Sequence, residues 1–175
     1  MTYDPVKPIE WAKSSIYDIA EKVRKKVWKN QSIELEAVVR QMRGSIVFQN
    51  LFEASSTDEG SILIEEDGTF RIYVPDYVSK ERNRFTMAHE LGHYVLHFLM
   101  QDRIGERVSA ARSSTSDQDR AEWEANWFAA GFLMPPTEFG NKFIELDRDV
   151  VATARHFGVS AQAAKIQASY CGHEV

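Results

Sequence analysis

The chain has 175 residues, of which 43% are hydrophobic and 27% are charged, and its formal net charge is −5. This length and composition predict one globular domain with a sizeable core, and the acidic balance argues against a surface that binds nucleic acid throughout. Cys171 is the only cysteine, which excludes an intrachain disulfide and fits a reducing compartment. The first residues lack the apolar core of a signal peptide, and no run reaches the roughly 20 apolar residues of a membrane span. We therefore expect a cytoplasmic protein without a membrane segment.

The first part of the chain predicts two helices and a strand. Apolar residues recur at three- and four-residue spacings over residues 9–28, which predicts an amphipathic helix. Ser32 can cap a second helix that ends near Met42. A short β-rich run at 45–48 then predicts a strand.

The clearest β signal lies at residues 61–74, after a polar stretch at 53–60 that predicts a loop. Two β-rich runs flank Asp67-Gly68, a pair that favours a tight hairpin turn. Together with the preceding strand, this hairpin predicts a small antiparallel sheet. Ser79 or Asp76 can cap the helix that follows.

Residues 85–98 carry the pattern on which the chemistry depends. His89, Glu90 and His93 form HExxH inside an apolar run that predicts a buried helix. The i,i+4 spacing projects both imidazoles from one helix face, where they can take two positions of a tetrahedral zinc site. Glu90 can then reach a water at that site as a general base. Such a short pattern also occurs on helix surfaces, but these apolar surroundings would bury the polar groups and require partners for them. Gly92 leaves one side of the helix bare for a close approach.

The chain beyond this helix predicts a loop and more helices. Residues 101–120 are polar, which predicts a loop that is either a tolerated insertion or a flap beside the site. A helix over 120–134 follows, and two prolines end it. The period is helical again over 137–172, with a turn at 158–160.

A catalytic zinc site of this kind needs a third protein ligand. The histidine used by metzincins is excluded, because the chain has Leu96 and Leu99 where that pattern requires glycine and histidine. His97 lies a further turn along, but three residues at i, i+4 and i+8 rise about 12 Å on a straight helix and cannot meet at one ion. We expect His97 to be a core histidine or to support a ligand from behind.

The helix over 120–134 offers two carboxylates as third ligand, Glu122 and Glu124. They lie about 200° apart around a helix, so only one can face the site. The inward apolar stripe of this helix favours Glu122, with Glu124 as the alternative. Asn126 lies on the same side as Glu122 and can accept the free ring N–H of a zinc-bound histidine.

Two motifs give the chain a family resemblance. RFTMAHELGH at 84–93, followed by EWEANWFAAGFLMP at 122–135, resembles the ImmA/IrrE family of zinc metallo-endopeptidases, whose pattern is FTxAHELGH and then E-x-x-A-N/D-x-F-A with L-M-P. The resemblance implies a gluzincin-like site with one catalytic Zn²⁺, the ligands His89, His93 and Glu122, and Glu90 as base. Gly131 lies where the family's usual tail A-A-x-L-L-M-P differs, and we expect this departure to alter packing rather than chemistry. The family also implies a protein substrate, a helix-turn-helix repressor of the XRE type.

The predicted fold is α+β and mostly helical, with the small antiparallel sheet packed against the HExxH helix and a second helix that carries the glutamate ligand. We expect a metallopeptidase domain over 1–145 and a C-terminal helical segment over 146–175 that packs on it. The expected function is a zinc-dependent endopeptidase that cleaves a repressor and relieves repression.

The transition state of peptide hydrolysis needs a further donor for its oxyanion. The candidates are near the motif in sequence and stay unranked: Tyr73, Tyr94, Arg84 and His97. An exposed edge of the 61–74 hairpin could pair with an extended substrate.

Two other functions remain as alternatives. The tail over 146–175 resembles a helix-turn-helix, whose second helix offers Lys165 as a cation and Gln162 and Gln167 as neutral groups for contacting bases. DNA binding is possible but not favoured, because the chain is acidic and two short helices can simply pack as a hairpin. A metal- or redox-responsive sensor with a non-hydrolytic zinc site is the other alternative.

Overall fold

A computed structural model describes residues 2–50, 61–110 and 116–175, without the side chain of Gln118. The loop predicted at 53–60 and the middle of the loop predicted at 101–120 lie outside the described residues. The fold is α+β, as predicted. The helices are α1 (Lys13–Val27), α2 (Leu35–Gln41), α3 (Lys80–Tyr94), α4 (Ser116–Leu133), α5 (Pro136–Glu145), α6 (Val150–Phe157) and α7 (Ala161–Tyr170). The strands are β1 (Asp4–Pro5), β2 (Gly44–Gln49), β3 (Ser61–Ile64), β4 (Phe70–Pro75) and β5 (Val108–Ser109). No helix within the described ranges is long and apolar enough to cross a membrane.

The five strands form one mixed sheet in the order β1-β5-β3-β4-β2. The hairpin of β3 and β4 is antiparallel, as predicted, but β2 runs parallel to β4 and β1 runs parallel to β5. The prediction of a purely antiparallel sheet was therefore wrong. The physical reason is the path of the chain. β3 follows β2 and precedes β4 in sequence, but it pairs with the side of β4 opposite to β2, so β2 and β4 run in the same direction.

The hairpin occupies the interior of the sheet. β4 lies between β3 and β2, and β3 pairs with β5 along Leu63 and Ile64. The predicted exposed hairpin edge was thus wrong, because the outer strands of the described sheet are β1 and β2.

One face of β4 supports the HExxH helix. Phe70, Ile72 and Val74 alternate inward and are buried, and the ring centroids of Phe70 and Tyr94 lie 4.2 Å apart. The alternate residues of the strand, among them Tyr73, point to the opposite face. This contact between β4 and α3 fixes the height of the helix above the sheet.

α3 begins with one of the predicted caps and ends differently from the prediction. The side chain of Ser79 accepts a hydrogen bond from the Arg82 N–H at 3.2 Å. The α-helix ends at Tyr94, where a π-helical turn over Val95–Leu99 takes its place. The N–H of Met100 donates to the Val95 carbonyl at 2.9 Å, the wider spacing that defines this turn.

Two glycines let α4 approach its neighbours closely. A Cβ on Gly92 of α3 would lie 3.1 Å from Cα of Ala125, so the side of the helix that Gly92 leaves bare is filled by α4. A Cβ on Gly131 would lie 3.1 Å from Cδ1 of Tyr17 in α1. Gly131, where the chain departs from the resembled tail, therefore lies in a packing contact.

The C-terminal helices α6 and α7 pack against α5 and α1. The rings of Tyr17 and Tyr170 stack with centroids 4.2 Å apart. Gln167 is fully buried in α7, where it donates to the Met134 carbonyl at 2.7 Å and accepts from the Tyr17 hydroxyl at 2.9 Å. Gln167 is therefore not available to contact a DNA base.

Candidate metal centre

α3 and α4 bring three of the predicted site residues together. The ligand atoms of His89, His93 and Glu122 all lie within 4.8 Å of one another. The two Nε2 atoms are 3.1 Å apart, and each lies 3.1 Å from an oxygen of Glu122. Tetrahedral zinc with bonds of about 2.0–2.1 Å places two ligand atoms about 3.3–3.4 Å apart. The spacing of these three side chains is close to that requirement.

The tautomer of His89 follows from its hydrogen bond with Asn126. Nδ1 of His89 lies 2.8 Å from Oδ1 of Asn126, and an amide oxygen can only accept. The ring therefore carries a proton on Nδ1. The neutral ring then presents the lone pair of Nε2 toward His93 and Glu122.

The tautomer of His93 is set by a buried chain of hydrogen bonds that we call the His97 relay, made of Glu124, His97 and His93. Nε2 of His97 donates to Oε2 of Glu124 at 2.9 Å, which leaves Nδ1 of a neutral His97 as an acceptor. That acceptor lies 2.9 Å from Nδ1 of His93, which must carry the proton. Nε2 of His93 is then left with a lone pair as well. All three side chains are fully buried, and burial lowers the pKa of His93 to about 3 and also lowers the pKa of His97, so both rings stay neutral.

Glu124 anchors this relay to the N-terminal segment. Its carboxylate accepts the backbone N–H groups of Ile9 and Glu10, both at 2.8 Å, and the Nε–H of Arg120 at 2.8 Å. Glu10 has a left-handed backbone with φ of 60°, an uncommon conformation for a non-glycine residue. Burial alone would raise the pKa of Glu124, but the hydrogen bonds from His97 and Arg120 outweigh it and lower the pKa to about 2. Glu124 is therefore ionised and accepts from His97.

The donor set of this centre fits a cation. Two neutral imidazoles point their lone pairs at each other and at a carboxylate, an arrangement that is repulsive unless a positive charge lies between them. A proton can supply that charge, and the pKa of His89 is raised because hydrogen bonding to Glu122 and the charge of Glu90 outweigh burial. A divalent metal ion satisfies all three groups at once. These residues could therefore hold a metal ion.

Glu90 is the buried acid beside this centre. It is 3% exposed, and its Oε2 has no hydrogen-bond partner in the described part of the chain. Burial raises the pKa of Glu90 to about 8. Burying a carboxyl oxygen without a hydrogen-bond partner costs free energy. Its position next to three converging ligand atoms indicates that a bound molecule supplies the missing hydrogen bond.

Each of the four candidate oxyanion donors has a defined position or hydrogen-bond partner in the structure. The Tyr94 hydroxyl donates to the Gly68 carbonyl at 3.0 Å, and Nε of Arg84 donates to the Gly158 carbonyl at 3.1 Å. Tyr73 lies on the face of β4 opposite to α3. His97 lies behind His93, in the relay.

The role of Glu124 is what the sequence reasoning missed. Glu124 was weighed only as an alternative metal ligand, yet its carboxylate lies on His97 and not among the three converging atoms. A signal was present, because His97 and Glu124 are polar residues within apolar helical stretches and each needs a buried partner.

A helix with HExxH, completed by a glutamate from a second helix on an α+β scaffold, defines the class as metallopeptidase-like. The sequence model of a peptidase family, Peptidase M78, described as the IrrE N-terminal-like domain, matches residues 47–169, and the chain belongs to this family.

Among solved structures, the chain is similar to a transcriptional regulator of Mycobacterium tuberculosis, with a TM-score of 0.68 and 19% sequence identity over 89% of this chain. At that identity the likeness shows the fold alone. The chain spans 46% of the length of that regulator. No curated protein matches the chain.

Proposed function

We propose that the chain is a zinc-dependent endopeptidase in which His89, His93 and Glu122 hold the ion and Glu90 is the catalytic base. The observation that carries this proposal is the convergence of His89, His93 and Glu122, whose ligand atoms lie within 4.8 Å of one another, beside the buried Glu90, whose Oε2 has no hydrogen-bond partner among the described residues. Membership of a peptidase family supports it.

The side chains divide the work of peptide hydrolysis between them. A zinc ion held by His89, His93 and Glu122 would supply a Lewis acid that polarises a carbonyl and lowers the pKa of water. Glu90 takes a proton from the attacking water and delivers it to the leaving amine. Burial raises the pKa of this carboxyl to about 8, which is close enough to neutral pH for Glu90 both to accept and to release a proton. Asn126 and the His97 relay keep Nε2 of each histidine free of a proton.

We propose a helix-turn-helix repressor of the XRE type as the substrate, cleaved in the cytoplasm so that repression is relieved. The resemblance of the two motifs to the ImmA/IrrE family supports this choice. The first candidate to test is any helix-turn-helix repressor encoded next to this protein's gene.

The test compares the zinc-loaded protein with its Glu90→Gln variant on that purified repressor, with and without a chelator. We expect the wild type to cut the repressor, the chelator to stop it, and Glu90→Gln to bind zinc while its rate falls by about 10²–10⁴. A variant that cuts at the wild-type rate would contradict the role of Glu90. A zinc-loaded wild type that leaves this and other protein substrates intact would contradict the endopeptidase.

Metal content separates the two candidate carboxylates. We expect Glu122→Ala to lose zinc, because its oxygens lie 3.1 Å from both Nε2 atoms. Loss of zinc only in Glu124→Ala would transfer the ligand role to that residue.

DNA binding is the weaker alternative. Three residues of the C-terminal segment were candidates for contacting bases, and two of them, Lys165 and Gln162, are exposed. The third, Gln167, is buried and forms hydrogen bonds with Tyr17 of α1 and with the Met134 carbonyl just after α4. A salt-dependent mobility shift on DNA would restore this alternative.

A further inference from the structure

A groove between α1, α3, α4 and α7 opens beside the candidate metal centre. We call it the α7 groove, and its volume is about 570 Å³, within the range typical of ligand sites. Most of the surface of the groove is apolar, and its lining includes six apolar side chains: Phe85, Trp127, Ala130, Met134, Ala163 and Ile166. Charged residues of both signs surround it: Lys13, Glu81 and Arg82. The lining therefore favours an apolar ligand and adds two positive charges and one negative charge.

The α7 groove adjoins the metal centre through a shared residue. Asn126, whose side-chain oxygen accepts the Nδ1–H of His89 at 2.8 Å, also lines the groove. Phe85, another lining residue, precedes His89 by one turn of α3. The groove therefore lies next to His89, within reach of a polypeptide bound at the centre.

α7 exposes an apolar residue that its own packing does not need. Ala164, Gln167 and Ala168 form the buried face of this helix. Ile166 lies outside that face, 56% exposed, and lines the groove. Covering such a side chain with an apolar ligand removes it from water, which is favourable.

We propose that the α7 groove binds apolar side chains of the polypeptide substrate next to the bond that is cleaved. The inference rests on the proposed function and names the chemistry of its substrate, a segment rich in large apolar residues. The C-terminal segment that resembles a helix-turn-helix thereby acts as a wall of the substrate site and not as a reader of DNA.

The test measures binding separately from cleavage. The probes are two synthetic octapeptides, one with Leu and Phe on either side of the central bond and one with Ser and Asn at the same positions. Each is titrated into zinc-loaded Glu90→Gln protein, alone or combined with Ile166→Arg. The matched control is Ile144→Arg on α5, where the isoleucine is equally exposed, at 57%, but does not line the groove.

We expect the apolar peptide to bind more tightly than the polar one. Ile166→Arg should raise the Kd of the apolar peptide about tenfold or more. Ile144→Arg should leave its Kd unchanged. Ala163→Leu, which fills the groove without adding charge, should weaken binding in the same way. Far-ultraviolet circular dichroism and zinc content confirm that each variant is folded.

Three results would overturn the proposal: equal effects of Ile166→Arg and Ile144→Arg, no preference for the apolar peptide, or no measurable binding of it. The same peptides are incubated with the zinc-loaded wild type to keep the two proposals apart. Selective binding without cleavage of either peptide supports peptide binding in the α7 groove and counts against the proposed endopeptidase activity. Cleavage without selective binding supports the endopeptidase and overturns the groove.

Discussion

The protons of the two histidines at the centre are positioned by side chains that are not among the three converging groups. Asn126 accepts from His89, and the His97 relay accepts from His93. Each acceptor holds the proton on Nδ1 and leaves Nε2 free. The affinity for metal should therefore depend on residues behind the ligands.

The His97 relay can be tested by replacing its middle member. His97→Leu removes the acceptor for the Nδ1–H of His93, whereas His97→Asn keeps an oxygen close to the position of that acceptor. We expect zinc affinity, measured by competition with a chromophoric chelator, to fall about 10–100-fold in His97→Leu and less in His97→Asn. Equal losses in the two variants would show that His97 serves packing alone.

The ring tautomers give a second readout of the relay. We expect long-range ¹H–¹⁵N spectra of the zinc-loaded protein to show the proton on Nδ1 of His89 and His93 and on Nε2 of His97. A proton on Nδ1 of His97 would contradict the hydrogen bond to Glu124.

Glu90 should make the metal-free protein less stable as the pH rises. Burial raises its pKa to about 8, above the roughly 4.3 of an unfolded chain. Between these values the folded state binds the proton more tightly, so this contribution to the free energy of unfolding is present below about pH 4.3 and is lost by about pH 8. We expect Glu90→Gln to flatten the fall in stability between pH 5 and pH 8, measured by urea unfolding in chelator. The control is Glu81→Gln, at an exposed position, which should keep the wild-type slope.

At this scale the sequence predicts the candidate metal ligands but not the residues that hydrogen-bond to them from behind. Residue spacing selected His89, His93 and Glu122, and the structure brings them together. It also placed His97 outside the ligand set. The partner of His97 could not be found in this way, because the π-helical turn that carries His97 departs from the regular helix period that the spacing argument assumes.

Helix packing determines how the two halves of the centre meet. Gly92 lies one residue before His93 and faces Ala125 and Phe128 of α4, so a side chain there must push the two helices apart. The distance between His93 and Glu122 depends on that approach. A small change in the packing of α3 on α4 should therefore change the affinity of this centre for metal.

Gly92→Ala tests this contact against Gly140→Ala in α5. A Cβ at Gly92 would lie 3.1 Å from Cα of Ala125, whereas one at Gly140 would meet only Nε2 of His173 at 3.6 Å, an ordinary contact. We expect Gly92→Ala to destabilise the protein by about 1–3 kcal/mol and to weaken zinc binding. Gly140→Ala should be neutral or stabilising by up to about 1 kcal/mol, because alanine favours the helix. Similar urea midpoints for the two variants would argue against a tight contact at Gly92.

The helices and the β3–β4 hairpin were largely predictable from sequence, and the pairing of the other strands was not. Periodicity and caps located α1, α3 and α4 because these signals are local in the chain. The parallel pairing of β2 with β4 joins segments separated by another strand, and no local pattern encodes it. The same limit applies to β1, whose two residues pair with β5 more than 100 positions later.

At the scale of the whole molecule, a bound metal should stabilise the fold, because its ligands come from two helices that are distant in sequence. A ligand that binds only the folded state adds about 4 kcal/mol at a free concentration 1,000 times its Kd. We expect zinc to raise the Tm of the metal-free wild type by several degrees in differential scanning calorimetry. The shift should be small in His93→Ala, which removes a ligand. An equal shift in that variant would place the metal elsewhere.

The anchoring of Glu124 to Ile9 and Glu10 has a consequence for the order of events during synthesis. These N-terminal residues leave the ribosome early, and His89 and His93 follow, but the third ligand and the acid of the relay come some thirty residues later. At about 5–20 residues per second, the two histidines wait roughly 2–6 s for Glu122 and Glu124. During that interval the nascent chain has neither its third ligand nor the acid that fixes His93. We expect metal to be acquired only after α4 has emerged, so a ribosome stalled before that point should carry a chain that does not retain zinc.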